Sequence, residues 1–133
     1  MTIDRPAAPA RVRDLLLADR ERTTSRAAAR SRDLDHVVAA AELVATDDEH
    51  DPEGSTVAFD RAQLIAVLDQ ARRRLVELNE ALARLDDGTY GICVRCGQPI
   101  GPARLEARPA APTCINCASR PVRGLLPGRR APG

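Results

Sequence analysis

The sequence predicts a mostly α, elongated fold: a long antiparallel two-helix coiled-coil hairpin with a small four-cysteine head and flexible termini. Three observations carry this. The 133 residues include no Trp, one Tyr and one Phe, so the large rings that fill a compact core are missing. An apolar series in the second half recurs at alternating steps of four and three. Four cysteines fall into two C-x2-C pairs near the end of the chain. A composition rich in Ala, Leu, Arg and Glu suits helices throughout.

Residues 1–10 (MTIDRPAAPA) read as a flexible lead. Residues 11–87 form the hairpin. Arg11 to Val44 holds neither Pro nor Gly, so one long helix is permitted. Leu34, Val37, Val38, Ala41 and Val44 give its second half a helical stripe. In the first half Val12, Leu15 and Leu16 begin a stripe that Arg20, Thr23 and Thr24 interrupt. Residues 46–56 (TDDEHDPEGST) carry Pro52, Gly54 and a cluster of acids, the chemistry of a turn. A second helix is expected from Val57 to Asp86. In it Leu64, Leu68, Ala71, Leu75, Leu78, Leu82 and Leu85 follow a heptad seam. Asp87-Gly88 then supplies a helix stop. At 1.5 Å per residue, such helices make an arm about 45 Å long. A multi-helix bundle, or a dimer through the Leu seam, is the alternative use of the same helices.

Residues 88–118 form the head. Cys93-x-x-Cys96 and Cys114-x-x-Cys117 stand seventeen residues apart, within the spacing of a zinc ribbon. Each pair makes a tight turn that aims two thiolates at one centre, and two such turns complete a tetrahedral Zn²⁺ shell. Four protein ligands leave no open coordination position, so the expected zinc is single and structural. Disulfides are the alternative reading of the same residues. Between the pairs only Ile100, Leu105 and a few Ala are available for burial, too little to fold without metal. Arg95, Arg104, Arg108 and Arg120 lie near enough in sequence to offset the charge of a Zn(Cys)4 centre, or simply face solvent.

The run Tyr90-Gly91-Ile92-Cys93-x-x-Cys96-Gly97, then Pro99-Ile100, Arg104-Leu105-Glu106-Ala107-Arg108-Pro109 and Cys114-x-x-Cys117 resembles the DksA/TraR zinc-finger family. The resemblance covers residues 86–118 closely, and the preceding hairpin agrees in layout. It implies a transcription regulator that binds bacterial RNA polymerase without reading DNA sequence. The arm would enter the secondary channel and bring acids at its tip toward the catalytic Mg²⁺ region.

The tip can also be read from its residues. Residues 47–60 hold six acids and no base, and Asp47, Asp48, Asp51 and Glu53 are the candidate partner-binding residues. The family's tip pattern is Asp-x-x-Asp-x-Ala. Here Asp48-x-x-Asp51-x-Glu53 keeps both acids and has Glu in place of Ala. A merely solvated acidic turn is the plainer reading.

Residues 119–133 read as a flexible basic tail, with Arg120, Arg123, Arg129 and Arg130 among repeated Pro and Gly. Sequence-specific nucleic-acid binding is not expected, since the finger lacks stacking aromatics and a recognition helix. No nucleophile elbow, phosphate loop or His/Asp constellation points to an enzyme. His50 among the acids is weak grounds for a second metal, and His36 reads as a flank residue. No apolar run is long enough to cross a bilayer, and a cytoplasmic monomer is expected. The competing reading is a zinc-ribbon protein-interaction module, dimeric or not, without a role at polymerase.

Overall fold

A computed structural model describes residues 9–44 and 52–120. Two 36-residue helices dominate, α1 (Pro9–Val44) and α2 (Pro52–Asp87), followed by two short ones, α3 (Pro102–Ala107) and α4 (Ile115–Ala118). Both long helices open on a proline. Pro has no N–H to donate and its fixed φ suits the first helical turn, where that N–H would be unpaired anyway. The same rule explains a difference from expectation: α2 starts at Pro52 rather than Val57, so Glu53 and Gly54 belong to helix. The acids Asp47, Asp48 and Asp51, together with His50, lie outside the described residues, as do the N-terminal lead before Pro9 and the tail beyond Arg120.

The two long helices run antiparallel and pair along their length. Arg13 meets Asp86 at 2.6 Å and Arg20 donates to Asn79 at 3.1 Å, so rising numbers on α1 face falling numbers on α2. The α2 seam faces α1. Leu68, Leu78 and Leu82 are buried and Leu64, Ala71, Leu75 and Leu85 half-buried, which leaves the seam unavailable to a second subunit.

On α1 the weight of packing is reversed from the expected one. Val12 and Leu16 are buried, and so is Thr23, whereas Leu34, Val37, Val38 and Ala41 are only half-buried. The head explains this. Val12 and Leu16 join Leu78, Ala81, Leu82 and the head's own Ala110 in one cluster, with Leu85 and Tyr90 against it. The first half of α1 is therefore covered from two sides, and the second half from one.

At the base, Gly88 takes φ +82°, the left-handed conformation that ends helices and that a Cβ disfavours. Thr89 N–H then reaches back to the Arg84 carbonyl at 2.9 Å, closing the last turn of α2 in the Schellman manner. Asp87 Oδ1 accepts from the Thr89 N–H at 3.1 Å and holds the reversal.

Candidate metal centre

The head has almost no core of its own. Among the described residues it contains no strand, only a single antiparallel bridge between Ile92 and Pro99. The first C-x2-C turn is built by backbone bonds: Cys93 N–H to the Gln98 carbonyl at 2.8 Å, and Gly97 N–H to the Cys93 carbonyl at 2.9 Å. Gly97 at φ +76° lets the chain curl round the first pair. The second pair opens and closes α4, whose Ala118 N–H donates to the Cys114 carbonyl at 2.9 Å. Val94 N–H ties the two turns together by donating to the Pro112 carbonyl at 2.9 Å.

These turns converge the sulfurs. All four Sγ atoms lie within 4.8 Å of one another, and Cys96 and Cys114 are 3.7 Å apart. A tetrahedron with Zn–S near 2.3 Å has edges of about 3.8 Å, whereas a disulfide needs about 2.05 Å. All four cysteines are free thiols, and their spacing fits an ion rather than a bond. Cys93, Cys114 and Cys117 are buried while Cys96 is exposed. Ile100 is buried with them and Leu105, on α3, packs against the cluster.

The thiols are electrostatically unequal. Burial opposes ionisation of Cys93, but backbone hydrogen bonds from Cys114, Cys96 and Arg95 outweigh it and bring the thiol down to about 6. The Cys117 backbone N–H lowers Cys114 against the effect of burial. Cys117 is pushed up to about 12, by burial first and then by the neighbouring sulfurs. Four thiols this close cannot all ionise unaided, and a divalent cation relieves the conflict by replacing their protons. The sulfur set fits Zn²⁺, and bound zinc supplies the cross-link that so small a lobe lacks.

The arginines near the centre serve the backbone. Arg95 Nη1 donates to the Cys117 carbonyl at 2.9 Å, and Arg104 Nε to the Thr113 carbonyl at 2.8 Å. Arg108 turns to the arm, 3.7 Å from Glu77. Tyr90 spans the same junction, its hydroxyl donating to the Pro109 carbonyl at 2.7 Å.

Residues 88–123 match the family model described as the prokaryotic dksA/traR C4-type zinc finger. The head is a DksA/TraR-type zinc finger. Over 61 residues the chain is 43% identical to the RNA polymerase-binding transcription factor DksA of Caulobacter vibrioides (strain NA1000 / CB15N), a stretch covering 46% of this chain and 43% of that protein. It is 41% identical over 49 residues to the factor of the same name from Escherichia coli (strain K12), covering 37% of this chain and 32% of that one. The matched stretch thus spans less than half the length of these curated relatives. A solved structure of transcription factor DksA2 from Pseudomonas aeruginosa aligns over 83% of this chain and 79% of its own, with a TM-score of 0.66 and 28% identity. The DksA/TraR finger therefore sits on the arm in an arrangement that extends well past the matched sequence.

Sequence reasoning brought the four thiols together correctly and missed α3, the Arg108–Glu77 contact and the seat of Ala110. The Arg104-Leu105-Glu106-Ala107 run, flanked by two prolines, is the signal that marks α3. Of the tip residues, Glu53 is placed in the first turn of α2.

Proposed function

We propose that this protein is a transcription regulator that binds bacterial RNA polymerase, with one structural zinc held by Cys93, Cys96, Cys114 and Cys117. The zinc finger, residues 88–118, docks outside the enzyme, and the hairpin of residues 11–87 enters the secondary channel. The tip acids Asp47, Asp48, Asp51 and Glu53 are its contact points near the catalytic Mg²⁺. The acting species is a monomer in the cytoplasm, neither an enzyme nor a reader of DNA sequence, and residues 119–133 form a basic tail. Among the described residues no helix is long and apolar enough to cross a membrane.

The observation that carries this reading is the shared cluster of Ala110 with Val12, Leu16, Leu78 and Leu82. It makes finger and arm one body, so a finger gripping the rim of a large enzyme aims a rod fixed to it. The two relatives carry RNA polymerase binding in their names, and the chain is similar in architecture to a transcription factor.

The test is co-purification of RNA polymerase from the native cell with the full chain. Polymerase is expected with the wild type and is expected to be reduced on Asp48→Asn/Asp51→Asn. Failure of the wild type to retain polymerase under conditions that preserve zinc would refute the assignment. Retention of polymerase by the variant would remove the tip as a binding determinant.

A further inference from the structure

The two cysteine pairs are anchored unequally. The first is closed by its own surroundings. The Ile92–Pro99 bridge spans it, Ile100 N–H donates to the Gly91 carbonyl at 2.8 Å, and Gly97 N–H returns to the Cys93 carbonyl. The second pair has the four-residue α4 to shape it. Among the described residues, its backbone from Pro112 onward bonds to the first pair's loop through Val94 N–H alone.

Two guanidiniums supply what the backbone does not, one at each end of the second pair. Arg95 stands between Cys93 and Cys96. Its own N–H donates to Cys93 Sγ at 3.4 Å, while its Nη1 donates to the Cys117 carbonyl at 2.9 Å. One residue thus touches both pairs without passing through the metal. Arg120 N–H donates to the same carbonyl at 3.2 Å, so both lone pairs of that oxygen are engaged. At the other end Arg104, on α3, donates from Nε to the carbonyl of Thr113, the residue before Cys114, at 2.8 Å. Both side-chain bonds have a charged donor, which strengthens and directs them. Arg108 carries the same charge in the same lobe but faces Glu77.

We propose that Arg95, assisted by Arg104, is a metal-positioning residue that sets how slowly the finger gives up zinc. Groups that orient the ligands of a metal govern its retention as the ligands themselves do. A four-thiolate shell has to open by losing ligands, and the second pair is the one with the weaker backbone hold. With Arg95 and Arg104 in place, a thiolate that lets go stays aimed at the site and rebinds. Without them Cys114 and Cys117 depart together with α4. The inference rests on these four thiols holding the zinc and is independent of polymerase.

The experiment is zinc release from reduced, zinc-loaded full-length protein into excess chromogenic chelator, at concentrations where the rate no longer depends on the chelator. Arg95→Met keeps the stem of an exposed side chain and should speed release about ten-fold or more. Arg104→Met should act in the same direction. Arg108→Met removes an equal charge from the lobe and should stay within about two-fold of wild type. Before chelation, Arg95→Met should hold one zinc per chain and the wild-type helical signal. Its amide exchange should rise at Ala118 and Ser119, which lie in and just after the second pair, and stay unchanged at Gly97. Release from Arg95→Met at the wild-type rate would overturn the inference, and so would an equal acceleration by Arg108→Met, which would make net charge the cause. A wild type without one zinc per chain would overturn the metal centre itself, an outcome distinct from either.

Discussion

The Tyr90 hydroxyl donates to the Pro109 carbonyl at 2.7 Å, joining the turn that leaves α2 to the loop that enters the second cysteine pair. Tyr90 is the only tyrosine, in a chain without tryptophan. It packs against the cluster that contains Leu16, Leu78 and Ala110. Tyr90→Phe keeps the ring and leaves a carbonyl unpaired, so it should cost about 1 kcal/mol of stability. Chemical denaturation followed by helical signal will measure it, with zinc stoichiometry expected to stay at the wild-type value.

Zinc removal should divide the molecule. The head relies on Ile100 and Leu105 around the cysteines, so a chelator or Cys114→Ser should unfold residues 88–118. The α1–α2 pairing survives through Leu68, Leu78 and Leu82, and most of the circular-dichroism helix signal should remain. A metal-free sample whose head amides exchange as slowly as those of the zinc form would contradict this. Acid should have the same effect as the chelator, because protonated thiols release the metal.

Midway along the arm, Asp19 accepts hydrogen bonds from Arg74 across the hairpin and from Thr23 one turn away. Burial raises the Asp19 carboxyl, but the Arg74 hydrogen bond and charge, with Thr23 and Arg22, outweigh it and hold the group below its ordinary value of 3.8. A carboxyl depressed in the folded state contributes stability above its unfolded pKa, and that contribution is lost as pH falls through the folded one. Asp19→Asn should therefore destabilise the arm at neutral pH by about 1 kcal/mol, a value discounted for partial exposure. The difference from wild type should shrink below the ordinary carboxylate range, as unfolding curves at several pH values will show.

Gly88 at φ +82° has nothing within 4 Å of where a Cβ would stand. Gly88→Ala therefore meets backbone strain and no clash, and should cost about 1 kcal/mol. The denaturation midpoint should fall while the slope stays constant. By contrast Arg108→Ala, which removes a 3.7 Å contact with Glu77 at the surface, should change stability by about 0.5 kcal/mol or less.

The parts of this structure that were legible in the sequence are those fixed by local chemistry. Cysteine spacing specifies the convergence of Cys93, Cys96, Cys114 and Cys117, because a C-x2-C turn leaves its sulfurs few directions. The α2 seam is readable because Leu68, Leu78 and Leu82 face a single neighbour. The α1 core was misplaced because Val12 and Leu16 share their cluster not only with Leu78, Ala81 and Leu82 but with Ala110, which lies about a hundred residues later in the chain. No window of sequence reports that contact. Thr23 looked like an interruption, yet it is 6% exposed and bonded to Asp19. Its hydroxyl finds a partner inside the hairpin, which a hydropathy pattern cannot register. The start of α2 was set too late because Pro52 was weighed as a breaker, whereas at a first turn it is an initiator.

Ala110 is 1% exposed, a side chain of one methyl lodged where α1, α2 and the finger meet. Grafting this finger onto a foreign hairpin, or this hairpin onto another finger, would leave a hole or a collision at that point unless Leu16, Leu78 and Leu82 travelled with it. The two halves of the molecule are thus not interchangeable parts, and changes to either are constrained by a notch the size of a single carbon.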